Sequence, residues 1–421
     1  MSRINEDDGG DHHNEALEDK IHHDWRFPEP HLEDDGCYQK EPTDMNDRER
    51  FLATMRYEDR DRAPLCEMSF WEEVIDDWKR QGMPDHIHWS AYDDNTTDPY
   101  FGMDRYRSYT RLTCYLCPSF KEVVIEDRGD EELFQQADGV RVVRHKSIRS
   151  VPRHDAHLLT DRHSWQEHYK PRLDPNDPAR LPDDWSARFG QPGGRDRTVP
   201  LVAEVGSLYG QLRLWMGLER ISELIYDDPA LLEEMIETMA DLALGVLKRH
   251  FDADVQIDAC YLWEDMCFNA GPLISPEHVR RFMLPHYRRI TEFCRGHSVD
   301  IICLDTDGRI DHLVPIFLEA GINVLYPIEI GTTGSDPVEL RRRFGRDLRM
   351  MGGFDKRILA DSKRNIENEV DRLTPLVDDG GYIPMCDHYV PPGVPLENYI
   401  HYRKLAVQRW ARGVNVKEMQ C

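Results

Sequence analysis

The second half of this chain alternates short apolar runs with amphipathic helical patterns, and this alternation constrains the fold more than any other feature. Six apolar runs between residues 198 and 386 have the length of buried strands, and a helical pattern follows each of the first five. The six runs are "TVPLVAEVG", "VQIDACYLW", "VDIICL", "NVLYPI", "LRMMGGF" and "GYIPMC". Apolar strands that alternate with amphipathic helices are typical of a parallel sheet covered by helices on both faces.

The number of strands favours a closed barrel over an open sheet. The part of the chain before residue 198 has room for two more strands, and one of them is predicted over residues 63–68, after a short helix that begins at Asn46 or Asp47. No glycine-rich dinucleotide-binding fingerprint opens any of the helices, which argues against a doubly wound nucleotide-binding sheet. The sequence therefore predicts an α/β fold, a (β/α)8 TIM barrel over residues 46–415.

Three segments are predicted to stand apart from the regular barrel. Residues 121–145 alternate β-branched and polar residues in short runs, which indicates a small antiparallel β-ribbon insertion. Residues 170–197 are rich in Pro, Asp and Gly, which indicates a long loop. Residues 1–45 hold 14 acidic and 4 basic residues with few apolar ones, so we expect an acidic, flexible N-terminal arm.

The net charge of −26 restricts the partners that the protein can take. Binding to nucleic acid or to an anionic membrane needs clustered cations, so we expect neither, and expect a small-molecule substrate instead. No run approaches the roughly 18 uncharged apolar residues that a membrane helix needs, and no signal-peptide core is evident, so a cytoplasmic location is expected. The ten cysteines are spread over the chain, which indicates reduced thiols rather than a disulfide framework.

Ionisable residues stand where nearly every predicted strand ends. In a TIM barrel the carboxyl ends of the strands form the active-site mouth, so these residues are candidates for a functional site. They are Glu67, Glu204, Glu264 with Asp265, Asp305 with Asp307, Glu329, Asp355 with Lys356, and Cys386 with Asp387 and His388. In the stretch "DTDG", Asp305 and Asp307 should project to the same side, because side chains repeat every two residues along a strand. The alternative for Asp307 and Asp355 is that each only caps the helix that follows it.

A ring of carboxylates at one mouth repels itself unless a cation or a proton offsets the charge. A divalent metal is the simplest answer, with a Cys or His as a softer ligand. Carboxyl groups with a raised pKa that act as acids or bases are the other answer. We expect Glu264, Asp305, Asp307 and His388 to share one pocket. The Cys114-x-x-Cys117 pair is a weaker zinc candidate, because a structural zinc site needs four ligands.

Five stretches resemble, in order, landmarks of the uroporphyrinogen decarboxylase superfamily, a TIM-barrel group that also contains corrinoid-dependent methyltransferases. They are "RERFLATMRYEDRDRAPL", "WEDMCFNAGPLISPEHVRRFMLPHYRRI", "DTDGRIDHLVPIFLEAGINVLYPIE", "MGGFDKRIL" and "GGYIPMCDHYVPPGVPLENY". The resemblance covers about residues 46–410. True uroporphyrinogen decarboxylases have an arginine-rich segment near the first strand that binds the substrate carboxylates. This chain reads "PLCEMSFWEEVIDDW" there, so it looks more like the methyltransferase and demethylase branch.

That resemblance implies methyl transfer from a small methylated substrate to a corrinoid supplied by a partner protein. In relatives that activate a thiol with zinc, His and Cys residues bind the metal at the positions of Asp305, Asp307 and Cys386, and only the cysteine matches by type. Carboxylates in place of the other two shift the preference from zinc toward harder divalent cations. Glu264, Asp305 and Asp307 would bind the metal or protonate a leaving oxygen, and His388 would carry the proton.

The remaining strand-end carboxylates are expected to line the substrate pocket. They are Glu67, Glu204, Glu329, Asp355 and Asp387. A decarboxylase or lyase that acts on a small non-porphyrin substrate is the alternative activity, in which a carboxyl group of raised pKa protonates a carbanion. A binding or sensor barrel without turnover stays open as well, because a fold does not by itself imply catalysis.

Overall fold

The computed structural model describes residues 45–90, 95–110, 112–146, 152–182, 185 and 197–411. The predicted acidic arm over residues 1–45 lies outside the described residues, apart from Met45. Most of the second half of the predicted loop over residues 170–197 also lies outside them. The first half of that loop contains two short 3₁₀ helices, Lys170–Leu173 and Pro178–Arg180.

A parallel seven-stranded sheet forms the centre of the described chain. In chain order the strands are β1 Ser108–Tyr109, β2 Val123–Asp127, β3 Glu131–Gln135, β4 Arg141–His145, β5 Arg153–Ala156, β6 Leu201–Glu204, β7 Ala259–Trp263, β8 Cys267–Phe268, β9 Gly271–Pro272, β10 Ile302–Asp305, β11 Val324–Ile328, β12 Arg349–Phe354 and β13 Tyr382–Cys386. The central sheet has the order β1-β6-β7-β10-β11-β12-β13, and all six neighbouring pairs are parallel. Each of the six apolar runs predicted after residue 198 is a strand of this sheet, and the predicted α/β class is confirmed.

Helices connect successive strands and cover the outside of the sheet. The longer ones are Asp47–Arg56, Glu72–Arg80, Leu218–Asp227, Pro229–Asp252, Leu284–Gly296, Pro337–Phe344, Lys363–Asp379 and Leu396–Trp410. The first begins where the sequence predicts, because the side chains of Asn46 and Glu49 form a reciprocal capping box with each other's backbone N–H groups. The helix that follows β10 begins at Val314 and not directly after the "DTDG" turn, and Pro315 lies in its first turn.

The strand predicted over residues 63–68 is not present as a strand. This segment is tied to its neighbours by single contacts instead of a continuous ladder. Phe70 and Val390 form one parallel bridge, and the backbone N–H of Cys386 donates to the Glu67 side chain at 2.9 Å instead of to a backbone carbonyl. On the other side, the backbone N–H of Asp104 donates to the Leu65 carbonyl at 3.0 Å. The prediction failed because the backbone groups of this segment pair with side chains and isolated neighbours.

A four-stranded antiparallel sheet, β2-β3-β4-β5, forms the ribbon that the sequence predicts over residues 121–145. The fourth strand, β5, extends the ribbon beyond the predicted range. All five residues of the edge strand β2 are exposed. Among the described residues, no helix is long and apolar enough to cross a membrane.

Two apolar cores sandwich the central sheet, and their residues alternate along each strand. The outer core packs between the sheet and the helices. The inner core fills the concave side and contains Val202, Ala259, Tyr261, Ile301, Cys303, Val324, Tyr326, Met351, Ile383 and Met385 among others. This alternation decides which residues at a strand end face the concave side. The side chain of a residue two positions beyond an inner-core residue lies on the inner face again. The side chain of the residue between them points to the helices.

Candidate active site

Three carboxylates meet at the carboxyl ends of the neighbouring strands β7 and β10. One oxygen from each of Asp265, Asp305 and Asp307 lies within 4.8 Å of the other two. Asp305 ends β10 on the inner face, since Ile301 and Cys303 belong to the inner core. Asp265 follows Trp263, which pairs with Asp305 in the parallel register. We call these three residues the acidic cluster.

Asp305 is the most enclosed member of the acidic cluster, with 6% of its surface exposed. The Tyr261 hydroxyl donates a hydrogen bond to its Oδ2 atom. Burial raises the pKa of Asp305 well above its usual range, the Tyr261 hydrogen bond opposes this, and the charges of Asp307 and Asp265 raise it further. Burial and then the charge of Asp307 raise the pKa of Asp265 to about 6. These carboxyl groups retain protons that ordinary aspartates release.

A histidine stands against the acidic cluster. The Nε2 atom of His388 lies 3.5 Å from Oδ2 of Asp307. Burial lowers the pKa of His388, but the hydrogen bond and charge of Asp307 raise it more, so the net pKa is above its usual value. Asp307 does not cap the next helix, because that helix begins at Val314 and Leu313 is its N-cap residue. The capping alternative for Asp307 is therefore wrong.

A second layer of charged groups surrounds the cluster. The Glu329 carboxylate accepts the backbone N–H of Gly308 at 2.7 Å, and its pKa is raised by burial and then by Asp307. Lys356 Nζ lies 3.1 Å from Asp387 and 3.9 Å from Glu329. Asp387 also accepts the backbone N–H of Gly331 at 2.7 Å, so it orients the lysine and the neighbouring loop. Arg213 lies 3.7 Å from Asp265.

Two backbone positions beside the cluster have positive φ angles. Gly308, at φ +92°, closes the "DTDG" turn, and a Cβ atom there would lie 2.5 Å from the backbone carbon of Cys267. Only glycine fits this close approach without displacing the neighbouring turn. Asp265 itself has φ +43°, a left-handed conformation that is uncommon for a residue with a side chain. Strained backbone of this kind concentrates at functional sites, where the surrounding structure holds it in place.

Glu264, a predicted catalytic residue, lies on the opposite face from the acidic cluster. It is fully buried, and its carboxylate accepts five hydrogen bonds. The donors are the Ser207 hydroxyl, the Tyr287 hydroxyl and the backbone N–H groups of Leu208, Tyr209 and Gly210. Glu264 thus joins β7 to the start of the helix Gly210–Met216, which follows β6, and to the helix Leu284–Gly296. The structure corrects the prediction of Glu264 as a catalytic residue, because Asp265 and not Glu264 joins the acidic cluster.

Cys386, a predicted metal ligand, is also turned away from the cluster. Ile383 and Met385 belong to the inner core, whereas Cys386 is fully buried in the outer core among helical side chains. Burial and then the charge of Glu67 raise the pKa of its thiol well above the usual value, so it stays protonated. A metal ligand must be a thiolate in contact with the metal, so the prediction of Cys386 as a ligand is wrong.

The other predicted pocket residues have separate roles. Glu67 accepts hydrogen bonds from the backbone N–H groups of Met68 and Cys386 and from the Tyr399 hydroxyl, and so fastens the 63–70 segment to β13. Asp355 caps the 3₁₀ helix Lys356–Ala360 and pairs with Arg357, which supports its capping alternative. Glu204 lies at the end of β6, where it accepts the Tyr115 hydroxyl, and burial raises its pKa.

The sequence prediction left three components of the site unassigned. Asp265 was named only as a strand-end residue, although strand alternation places it on the same face as Ala259, Tyr261 and Trp263. Tyr261 and Arg213 carried no sequence signal of their own, because each reaches the cluster only through the packing of the fold. The period-two pattern was the available signal, and it would have selected Asp265 over Glu264.

The acidic cluster suits a hard divalent cation. Its donors are all carboxylate oxygens, the ligand type that magnesium, calcium and manganese prefer, and a neutral His388 could add a nitrogen donor. A cation would also offset the mutual repulsion that raises the pKa values of Asp265 and Asp305. Among the described residues, Cys114 and Cys117 are both buried and belong to no comparable group of possible ligands.

The family model described as "Uroporphyrinogen decarboxylase (URO-D)" matches residues 195–407, which is more than half of the chain. The uroporphyrinogen decarboxylase of Pseudoalteromonas atlantica is 25% identical over 218 residues, 48% of this chain and 56% of that protein. The enzyme of Alcanivorax borkumensis is 26% identical over 226 residues, 49% of this chain and 58% of that protein. The chain spans about half the length of these curated relatives.

A solved structure has a similar fold along almost its whole length. A methyltransferase from Methanosarcina mazei matches with a TM-score of 0.54, over 87% of this chain and 99% of that one. The two sequences are 14% identical, so the similarity concerns the fold.

Proposed function

The chain belongs to the uroporphyrinogen decarboxylase (URO-D) family, and we propose that within it the protein is a methyltransferase that uses a corrinoid on a partner protein. Its substrate would be a small methylated compound. The observation that carries this proposal is the acidic cluster beside His388, at the carboxyl ends of parallel strands where barrel enzymes perform their chemistry. The cytoplasmic location expected from the sequence stays a prediction.

We also propose that the sheet closes as a (β/α)8 barrel, with the 63–70 segment in the place of the eighth strand. This segment contacts both edges of the seven-stranded sheet. It meets β13 through Glu67 and the Phe70–Val390 bridge, and it meets the approach to β1 through the Leu65 carbonyl and the N–H of Asp104. In such a barrel the acidic cluster would lie in the mouth.

The charge of the site argues against a porphyrinogen as the substrate. A porphyrinogen with eight carboxylates needs several cations, and the segment "PLCEMSFWEEVIDDW" contains no arginine or lysine that could bind them. Burial and mutual repulsion already raise the pKa values of Asp265 and Asp305, so more negative charge would be costly there. The similar fold of the Methanosarcina mazei methyltransferase supports the methyltransferase branch of the family for this protein over the decarboxylase branch.

The residues of the site divide the work of a demethylation between them. A divalent cation held by Asp265, Asp305 and Asp307 would supply Lewis acidity toward the heteroatom that carries the methyl group. When the methyl–heteroatom bond breaks, the heteroatom keeps the electron pair and needs a proton. Protonated His388, held by Asp307, is placed to donate that proton, and Lys356 and Arg213 would limit the negative charge around it.

Decarboxylation or a lyase reaction on a small non-porphyrin substrate is the second candidate. The observation that favours it is the burial of Asp305, whose raised pKa keeps a proton beside the Tyr261 hydroxyl. A carboxyl group that stays protonated near neutral pH can protonate the carbanion that remains when carbon dioxide leaves. In that reaction the acidic cluster would work without a metal.

Metal analysis and a methyl-transfer assay test the proposal together. Purified protein is equilibrated with Mg²⁺, Mn²⁺ or Zn²⁺, analysed by mass spectrometry for bound metal, and mixed with cob(I)alamin and a panel of O-, N- and S-methyl donors. Asp305→Asn and Asp307→Asn should each lower metal affinity or turnover at least tenfold, about 1.4 kcal/mol. Their stability should hold or rise, because Asp307→Asn removes a charge from a repelling group and Asp305→Asn replaces a buried carboxyl group with a neutral amide of the same shape.

Asp355→Asn is the matched control, since it removes a strand-end carboxylate outside the cluster and keeps the helix cap. It should leave metal affinity and turnover unchanged. Equal losses in all three variants would contradict a specific role for the acidic cluster. If carboxylated substrates release carbon dioxide and cobalamin is not methylated, methyl transfer is wrong and decarboxylation is the activity.

A further inference from the structure

A half-buried arginine lies among four tyrosine rings on the inner face of the sheet, close to the acidic cluster. The central guanidinium carbon of Arg107 lies 4.8 Å from the ring centre of Tyr106, 5.3 Å from Tyr109, 5.6 Å from Tyr261 and 5.5 Å from Tyr326. Each distance is within the range of a cation–π contact. We call these four residues the tyrosine box. The rings hold the positive charge in place, while the side chain of Arg107 is half-buried and not fully enclosed.

The tyrosine box joins Arg107 to the acidic cluster. Tyr261 contributes its ring to the box and its hydroxyl to Asp305. Tyr326 pairs with Asp305 in the register between β10 and β11, and its hydroxyl lies 3.1 Å from that of Tyr106. Arg107 is therefore at the level of the last residues of these strands, next to the site and not in a remote part of the core.

The guanidinium has no hydrogen-bond acceptor and no ion pair within 4 Å among the described residues. A guanidinium carries five N–H donors, and those of Arg107 are not among the fully enclosed polar atoms, so a ligand can reach them. The tyrosine rings stabilise the positive charge through cation–π contacts, but they do not accept hydrogen bonds from the N–H groups. Burial raises the pKa values of Glu204 and Asp305, and the charge of Arg107 opposes that rise, so it is close enough to act on both carboxyl groups without pairing with either. The N–H groups of the Arg107 guanidinium are therefore free to bind an anion that enters at the strand ends.

We propose that Arg107, held in the tyrosine box, binds the carboxylate of a small, singly charged substrate whose other end reaches the acidic cluster. The planar guanidinium matches a carboxylate with two parallel hydrogen bonds. A single negative charge fits this setting better than a phosphate dianion, because Glu204, Asp305 and Asp307 repel each additional charge. The assignment of a methylated group to the end of the substrate at the acidic cluster rests on the proposed function. The assignment of a carboxylate site to Arg107 does not.

This site also defines the size of the substrate. One arginine pairs with one carboxylate, so the arrangement suits a monocarboxylate and not a porphyrinogen with eight. The methylated group would lie on the far side of the same molecule, within reach of Asp305 and His388. The substrate class is accordingly a small methylated or otherwise substituted carboxylic acid.

Ligand-detected NMR titrations with the full-length protein test the carboxylate site without any turnover. The probes are acetate and benzoate, each beside its neutral amide, together with phenyl phosphate. At least one carboxylate should bind the wild type at least tenfold more tightly than its amide. Arg107→Gln should remove this preference, and Arg107→Lys should weaken it, because lysine keeps the charge but loses the planar fork. Melting temperatures and circular dichroism spectra establish that each variant is folded.

Arg144→Gln is the matched control, because Arg144 also stacks on a ring, 3.5 Å from the centre of Phe134, but lies in the ribbon. It should bind the carboxylates like the wild type. If Arg107→Gln does not fold, the contrast between carboxylate and amide in the wild type decides the question. Equal affinity for acid and amide, or full affinity in folded Arg107→Gln, would overturn the proposal. Tighter binding of phenyl phosphate would overturn the assignment to a carboxylate.

The proposed function and this site can fail separately. Asp305→Asn protein that has lost metal or turnover should still prefer carboxylate to amide. If no metal and no methyl donor give activity but the preference depends on Arg107, the methyltransferase proposal fails and the carboxylate site stands. If methyl transfer occurs and Arg107→Gln leaves the KM of every substrate unchanged, the carboxylate site is wrong.

Discussion

Two adjacent residues show how the direction of a side chain separates a structural role from a chemical one. Glu264 and Asp265 are both acidic and both follow β7, yet they turn to opposite faces. Glu264 points to the helices and accepts five hydrogen bonds, whereas Asp265 points to the concave side and joins two other aspartates. The same substitution, acid to amide, should therefore have opposite consequences at the two positions.

Asp265→Asn should make the metal-free protein more stable, and more so as the pH rises. The pKa of Asp265 is raised from 3.8 to about 6 by burial and then by Asp307. The stability that its protonated form contributes is present below about pH 4 and is lost as the pH rises to about 6. The variant should match the wild type near pH 4 and exceed it above pH 6 by up to about 3 kcal/mol. Urea unfolding at a series of pH values measures this difference.

Asp355→Asn supplies a control of opposite sign. Burial raises the pKa of Asp355, but hydrogen bonds from Arg357 lower it more, so its contribution is present at neutral pH and is lost as the pH falls through its lowered pKa. This variant should be slightly less stable than the wild type at neutral pH. A difference between Asp265→Asn and the wild type that stays constant from pH 4 to pH 7 would contradict the explanation by protonation.

Glu264→Gln should destabilise the protein and leave metal binding intact. The amide keeps one acceptor oxygen and presents an NH₂ group to backbone N–H donors that need an acceptor. Loss of charged hydrogen bonds in a buried network costs about 2–4 kcal/mol in the free energy of unfolding. Chemical denaturation and the metal analysis measure the two properties separately. Loss of metal binding in a folded Glu264→Gln protein would show that Glu264 takes part in the metal site.

At the scale of elements, the chemistry depends on the turns that follow the strands. The connection from Asp305 to the helix at Val314 holds the "DTDG" turn, in which Gly308 donates its N–H to Glu329 and lies against the turn after β7. The delayed start of that helix leaves the backbone free to place Asp307 beside His388. A tighter connection that began the helix at Arg309 would have used Asp307 as a cap.

Gly308→Ala should destabilise the protein more than an equivalent change at Gly334. Both glycines have positive φ angles, +92° and +77°, but a Cβ atom at Gly334 would meet nothing within 4 Å. Backbone strain alone should cost Gly334→Ala about 1–2 kcal/mol in stability. Gly308→Ala adds the collision with Cys267, roughly 1–3 kcal/mol more, and should weaken metal binding because Asp307 moves. Unfolding experiments measure the stability of both variants. An equal loss of stability in the two would show that the backbone around Cys267 moves away from residue 308 in solution.

At the scale of the whole molecule, negative charge is distributed unevenly along the chain. Of the net charge of −26, residues 1–44 contribute −10, from 14 acidic and 4 basic residues. In the described part of the chain most cations are paired on the surface, and the three carboxylates of the acidic cluster have only Arg213 and His388 as cationic neighbours within 4 Å. In the proposed function, this excess of carboxylates over cations on the concave side would attract a divalent cation.

Removal of residues 1–44 should leave the melting temperature of the protein nearly unchanged. The segment has few apolar residues to bury, so its deletion removes little stabilising contact. Met45 stays in the shortened chain, because its carbonyl accepts a hydrogen bond from Arg50. Calorimetry on both chains, with metal affinity as a second measurement, tests this. A decrease of several degrees would show that the arm packs on the folded unit.

The sequence by itself determined the order of the strands and most of the helices after residue 198. These elements follow from local periodicity, since buried strands and amphipathic helices carry their pattern within a dozen residues. The strand predicted over residues 63–68 failed for the same reason, because pairing with distant side chains such as that of Glu67 with Cys386 leaves no local pattern. Asp305, Asp307 and His388 were identified from strand ends alone.

Only the tertiary structure decided which strand-end residues meet. Asp265, Asp305 and His388 come from three different connections, and their distances depend on the register and curvature of the whole sheet. The structure turned Glu264 and Cys386 toward the helices, and it placed Arg107 among tyrosines from β1, β7, β11 and the segment before β1. Local sequence cannot encode such contacts, because the free energy of a charged group depends on neighbours that only folding brings within a few ångströms.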